Sequence, residues 1–95
     1  MYVQKEYIKG NNKYIFKFFI SQRKHKKYRV DVYFNNKFVK SVHFGDRRYE
    51  HYYDSIGLYS DLDHNDIQRL QAYYKRHKKN YPEFSADWFS KRFLW

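Results

Sequence analysis

Twelve basic side chains carry the clearest chemical signal in this sequence of 95 residues. Arg23, Lys24, Lys26, Lys27 and Arg29 lie just before and inside one apolar stretch, Arg47 and Arg48 follow it, and Arg76, Lys78, Lys79, Lys91 and Arg92 lie toward the C-terminus. Lysine and arginine neutralise phosphates and release condensed counterions, which gives affinity for nucleic acid without reading its sequence. The formal net charge is +10, and its distribution is lopsided. Residues 1–45 hold eleven Lys and Arg against two acids, residues 46–66 two against six, and residues 67–95 seven against two. Charge for solubility explains part of this excess. An acidic middle between two basic ends favours a polyanionic partner.

Aromatic rings interleave with these cations. The chain holds 12 Tyr, 9 Phe and 2 Trp, which bury much area per residue and leave each tyrosine a polar handle. Tyr33, Tyr49 and Tyr52 are candidates to stack on unpaired bases, against the simpler reading that each belongs to an aromatic-built core. No helix-turn-helix, zinc-finger or RNA-recognition fingerprint is present, so the cations predict binding without sequence specificity.

A second set could do acid-base or metal chemistry: His43, His51, His64 and His77 with Asp54, Asp61, Asp63 and Asp66. The segment Asp61–Asp66 is ligand-rich, and metal-assisted phosphodiester cleavage would suit a basic protein. It lacks the glycine and distal glutamate of a calcium loop, and helix capping accounts for Asp63 and Asp66 without a metal. There is no nucleophile elbow, phosphate loop or cysteine, and Ser41, Ser55, Ser60 and Ser90 have no activating neighbour. Binding ranks ahead of catalysis, with no cofactor and no metal site expected.

The elements that must position these residues are read from periodicity. Tyr2–Ile8, the turn Lys9–Lys13 and Tyr14–Ile20 form a first hairpin whose second strand is apolar on both faces, hence central. Ser21–Lys27 has no apolar residue and reads as an exposed connection. From Tyr28 to Gly45 a second hairpin turns at Asn35-Asn36, which tolerate the positive φ of a type I′ turn. Its apolar face is Tyr28, Val30, Val32, Phe34, Phe38, Val42 and Phe44. Residues 46–62 show no clean period and read as an ordered loop with its tyrosines on the sheet edge.

Asp63 is placed as the cap of a helix with Asp66 at its third position, and Ile67, Leu70, Tyr74 and His77 as its buried stripe. Asn80 and Pro82 end it. A shorter helix starts at Ser85 with Phe84 as a hydrophobic staple, and its rings Trp88, Phe89, Phe93 and Trp95 are expected to tuck into the core. The fold class expected is α+β in one domain, 1–95: an antiparallel sheet of about four strands, from two hairpins, with one longer and one shorter C-terminal helix packed on it.

Several separated pieces share one order: Tyr28-Arg29-Val30, Val42-His43-Phe44-Gly45, Tyr53-Asp54, Tyr74-Lys75-Arg76-His77-Lys78-Lys79, and Trp88 through Trp95. In this order, over about residues 28–95, the chain resembles a small uncharacterised family of nucleocytoplasmic large DNA viruses. It departs from that pattern by an extra N-terminal hairpin, residues 1–21, and by Ser85-Ala86-Asp87 where a glycine would stand. The resemblance implies a viral origin and a place in the virion or viral factory, and no activity.

No apolar run approaches a membrane span and no signal-peptide core is visible, so the expected setting is the virion or the infected-cell interior, including the nucleus. The expected function is that of a small basic viral protein binding nucleic acid, duplex DNA ahead of RNA, through backbone phosphates, in genome packaging or the virion. The alternatives are a structural adaptor binding viral or host proteins, itself included, through aromatic surface, and a metal-dependent nuclease using Asp61 and Asp63.

Overall fold

Alternation of apolar and polar side chains turns the first half of the chain into four strands. The computed structural model describes residues 1–95. Strands β1 (Val3–Lys9), β2 (Asn12–Ile20), β3 (Lys26–Phe34) and β4 (Lys37–Asp46) form one antiparallel sheet in the order β1-β2-β3-β4. Each strand pairs with its sequence neighbour, the arrangement short turns permit. Asn35 and Asn36 both adopt positive φ, 50° and 62°, as the two-residue turn requires.

One face of this sheet is the core. Phe16, Phe18, Tyr28, Val30, Val32 and Phe44 are buried there against Phe84, Phe89, Phe93 and Leu94, and burying each large ring contributes about 1.5–3 kcal/mol. Helix α2 (Ala86–Phe93) supplies much of that cover and packs beside β4. Ser85 caps it by accepting the Trp88 N–H at 3.2 Å, and Phe84 stacks on Phe89 at 6.2 Å, completing the staple. Leu94 is buried, while Trp95 is half-buried.

Three expectations need correction. A bulge between Val32 and Tyr33 shifts the β3–β4 register, so Phe38 opposes Tyr33 on the other face and is exposed instead of joining the core. The extra residue of a bulge reverses which side the chain beyond it presents. Helix α1 (Ile67–Arg76) is capped by Asp66, not Asp63: the Asp66 carboxylate accepts the Gln68 and Arg69 N–H groups. Its buried residue is Tyr73, while Ile67 and Tyr74 are exposed. That rotated stripe follows from where α1 lies. It makes no close backbone approach to any strand, and Tyr73 stacks face to face on Trp95 at 4.3 Å.

The segment between β4 and α1 is held by polar contacts more than by regular structure. It contains one 3-10 turn, Ser60–Leu62, and an isolated bridge between His51 and Asp63. Tyr59 packs on Tyr28, whereas Tyr49 and Tyr53 point into solvent. No helix is long and apolar enough to cross a membrane.

Candidate functional site

The basic loop between β2 and β3 is tied to the end of β4. Arg47 does this: its N–H donates to His25 O at 2.9 Å, and its guanidinium donates to Lys26 O and Ser21 O, both at 2.8 Å. His25 takes a φ of 67° to make the turn. Arg47 is therefore a clip, with donors spent on carbonyls. Arg48 chelates Asp46 through Nε (3.0 Å) and Nη2 (2.7 Å), which holds the Asp46 carboxyl far below the usual carboxylate range. What the loop leaves to solvent is Arg23 and Lys24, both exposed, and Lys26, half-buried; none has an acidic partner.

Lys27 is not part of this surface. It is 2% exposed, and its ammonium donates to His51 Nδ1 at 2.8 Å. His51, fully buried, donates from Nε2 to Asp63 Oδ1 at 2.6 Å. The pattern fixes the tautomer, with Nδ1 accepting and Nε2 carrying the proton. A neutral imidazole thus relays between a buried cation and a carboxylate. Burial pulls the Lys27 amine down to about 8, against the lift from Asp54, Asp46 and Asp63, and burial followed by the Lys27 charge lowers His51. A phosphate contact by Lys27, expected from the charge run, is ruled out by its enclosure.

A second buried pair completes the interior. The Tyr28 hydroxyl donates to Asp54, whose carboxylate also accepts the Ile56 and Tyr59 N–H groups at 2.8 Å. The Leu58 N–H donates to the Tyr28 oxygen at 3.0 Å, and the Asp54 N–H donates to Asp63 at 2.8 Å. His51, Asp54 and Asp63, taken from sequence as acid-base or metal candidates, are thereby committed to holding the loop. Asp61 is exposed, Asp66 caps α1, and no group of three His, Asp or Glu side chains is arranged to hold a metal ion. The sequence set these residues side by side in one class, but nothing in it paired Lys27 with His51.

The remaining cations fall on the helical side. Lys75, Arg76, Lys78 and Lys79 are exposed at and beyond the end of α1 and have no acidic partner. Arg76 lines a cleft of about 430 Å³ together with Lys27, Gly45 and Asp46 from the sheet and Tyr73 and Trp95. The cleft therefore lies between the β4 end and α1; of the exposed helix-end cations Arg76 lines it, and Arg23, Lys24 and Lys26 do not. Its lining is mixed in sign, since Asp46, Glu50 and Asp87 share it with Arg69 and Arg76. Lys91 and Arg92 lie elsewhere: both line a cleft of about 410 Å³ with Tyr74, Tyr81 and Trp88, and both sit over rings, Lys91 over Tyr74 at 5.2 Å and Arg92 over Tyr7 at 4.8 Å. Arg29 belongs to neither group, being on the sheet face away from the helices, 3.2 Å from Asp31 and over Phe19.

In comparison with known proteins, no family model, no curated protein and no solved structure matches the chain.

Proposed function

We propose that this chain is a small basic viral protein that binds nucleic acid, duplex DNA foremost, through backbone phosphates and without sequence specificity. The observation that carries the reading is the fate of the charges. Glu6, Asp31, Asp46, Glu50 and Glu83 each sit in an ion pair, and Asp54, Asp63 and Asp66 are spent on internal hydrogen bonds. Arg23, Lys24, Lys26, Lys75, Arg76, Lys78 and Lys79 have no such partner, and all but the half-buried Lys26 are exposed. The resemblance to the large-DNA-virus family is what puts forward genome packaging or the virion as the setting.

A salt titration of duplex binding tests this. Each contacted phosphate adds about −0.9 to the slope of log K against log salt, so these seven cations limit the slope to about −6. Changing Arg23, Lys24 and Lys26 together to Ala is expected to weaken binding at low salt and flatten the slope by about 2 to 3. Lys27→Met, which removes a charge from the same run but from the interior, is expected to leave the slope unchanged. Equal binding by the triple variant at about 50 mM salt would sink the reading.

A further inference from the structure

The sheet face opposite the helices has no cover. Along it Phe19, Lys17 and Ile15 of β2 are half-buried, while their neighbours Phe16 and Phe18 on the inner face are fully buried. Two aromatic pairs stand on this open face. Tyr2 and Phe19 have ring centroids 5.3 Å apart, and Tyr33 meets Phe38 at 5.8 Å. Lys17 sits between the pairs with its Nζ 5.3 Å from the Tyr2 ring and 4.8 Å from the Tyr33 ring. A depression of about 200 Å³ opens beside Tyr33, lined also by Gln4, Ile15, Lys17 and Asn36.

The bulge at Val32/Tyr33 is what makes this surface. Without it Phe38 would turn inward with Val42 and Phe44; with it, a large ring is 58% exposed beside Tyr33. A Phe held in solvent next to a tyrosine and an unpaired lysine is uneconomical for a monomer's surface unless something stacks there. A second copy is a poor occupant, because pairing would bring together two chains that each carry a net charge of +10. A strand of phosphates with free base faces matches both features at once.

We infer that the open face of the sheet binds single-stranded nucleic acid, with unpaired bases stacking on Tyr33 and Phe38 and Lys17, beside Tyr33, contacting the backbone. Aromatic rings at a sheet surface take up bases of any identity, because every base has a π-face. Base pairing in a duplex hides those faces, so this surface is separate from the loop and helix-end cations. The inference shares with the proposed function only the premise that the partner is a polynucleotide.

Fluorescence anisotropy with a labelled oligo-dT strand and with a duplex of equal length separates the two. Tyr33→Leu with Phe38→Leu keeps apolar bulk but removes the rings, and circular dichroism checks that the sheet persists. The expected result is a loss of about tenfold or more for oligo-dT with duplex affinity unchanged. The Ala variants at Arg23, Lys24 and Lys26 are expected to do the reverse. Oligo-dT binding that survives ring removal, or no oligo-dT binding by the wild type, overturns the inference whatever the duplex does. A wild-type dimer in sedimentation that the ring variant splits also overturns it, by giving the face to a second copy. Duplex binding lost while oligo-dT binding stays ring-dependent would overturn the proposed function alone.

Discussion

Placing an ammonium group in the interior of so small a protein requires acceptors for its protons and a counter-charge within reach. At Lys27 both are supplied through His51, whose ring passes the contact on to Asp63. The linkage has a definite sign. His51 is held neutral below its ordinary 6.5, so on acidification the unfolded chain takes up a proton that the folded chain refuses, and stability falls as pH drops through 6.5. Lys27 titrates near 8 in the folded protein and at 10.5 unfolded, so above about pH 8 the unfolded chain again holds more protons and stability rises with pH. That rise ends near the ordinary phenol value of 10.0, because burial lifts Tyr28 and Tyr73 above it and the unfolded tyrosines lose protons first. Urea midpoints measured from about pH 5 to about pH 10 should show both slopes, and Lys27→Met should abolish the alkaline one while only reducing the acid one, since burial, the larger cause at His51, persists. A flat profile above pH 8 in the wild type would mean that Lys27 titrates normally.

Two residues with positive φ show how differently the elements use the same backbone conformation. Asn36, at φ 62° in the β3–β4 turn, is exposed. Gly45, at φ 75° near the end of β4, is enclosed: a Cβ there would meet Leu94 Cδ1 at 3.0 Å and Lys27 Cβ at 3.2 Å. Asn36→Gly is therefore expected to stabilise by about 0.5 kcal/mol through a better type I′ turn. Gly45→Ala is expected to destabilise by about 2 kcal/mol or more, from strain plus the clash with two packed side chains. Thermal melts of both variants check the opposite signs, and a neutral Gly45→Ala would show that the β4 end is looser than its packing implies. The strands, the turn and the Ser85 cap were legible in the sequence because each follows from residues within a few positions. The bulge was not, since period-two alternation reads the same with an extra residue until the pairing is known. Nor was the segment 46–62, whose shape comes from Tyr28 and Lys27 reaching it from β3 and from Asp63 just beyond it. The site divides the same way: Arg23, Lys24 and the helix-end cations, flanked by polar residues, read correctly as surface. Lys27 looked identical to them, and only His51, 24 positions away, decides that it is buried.

At the scale of the molecule, extents of 39 × 29 × 19 Å describe a slab, a sheet with one layer of cover and one bare face. Helix α1 stands outside that layering. What attaches it is a column of rings: His77 on Tyr73 at 4.1 Å, Tyr73 on Trp95 at 4.3 Å, and Trp95 against His64 at 5.3 Å. The exposed Arg69–Glu50 pair adds little. A helix of ten residues is marginal by itself in water, so removing the middle of the column should free it. Trp95→Ala is expected to expose the α1 amides to hydrogen exchange at least about tenfold faster while those of β2 and β3 keep their protection. Because α1 carries Lys75 and Arg76 and leads into Lys78 and Lys79, the same variant should weaken duplex binding with every cation still present, by loosening their placement relative to the rest of the chain. Trp95→Phe, which retains a ring to stack on Tyr73, should recover most of both effects. Exchange that quickens equally in sheet and helix would show instead that α1 and the sheet unfold as one unit, and Trp95 would then be a core residue with no separate hold on the basic helix end.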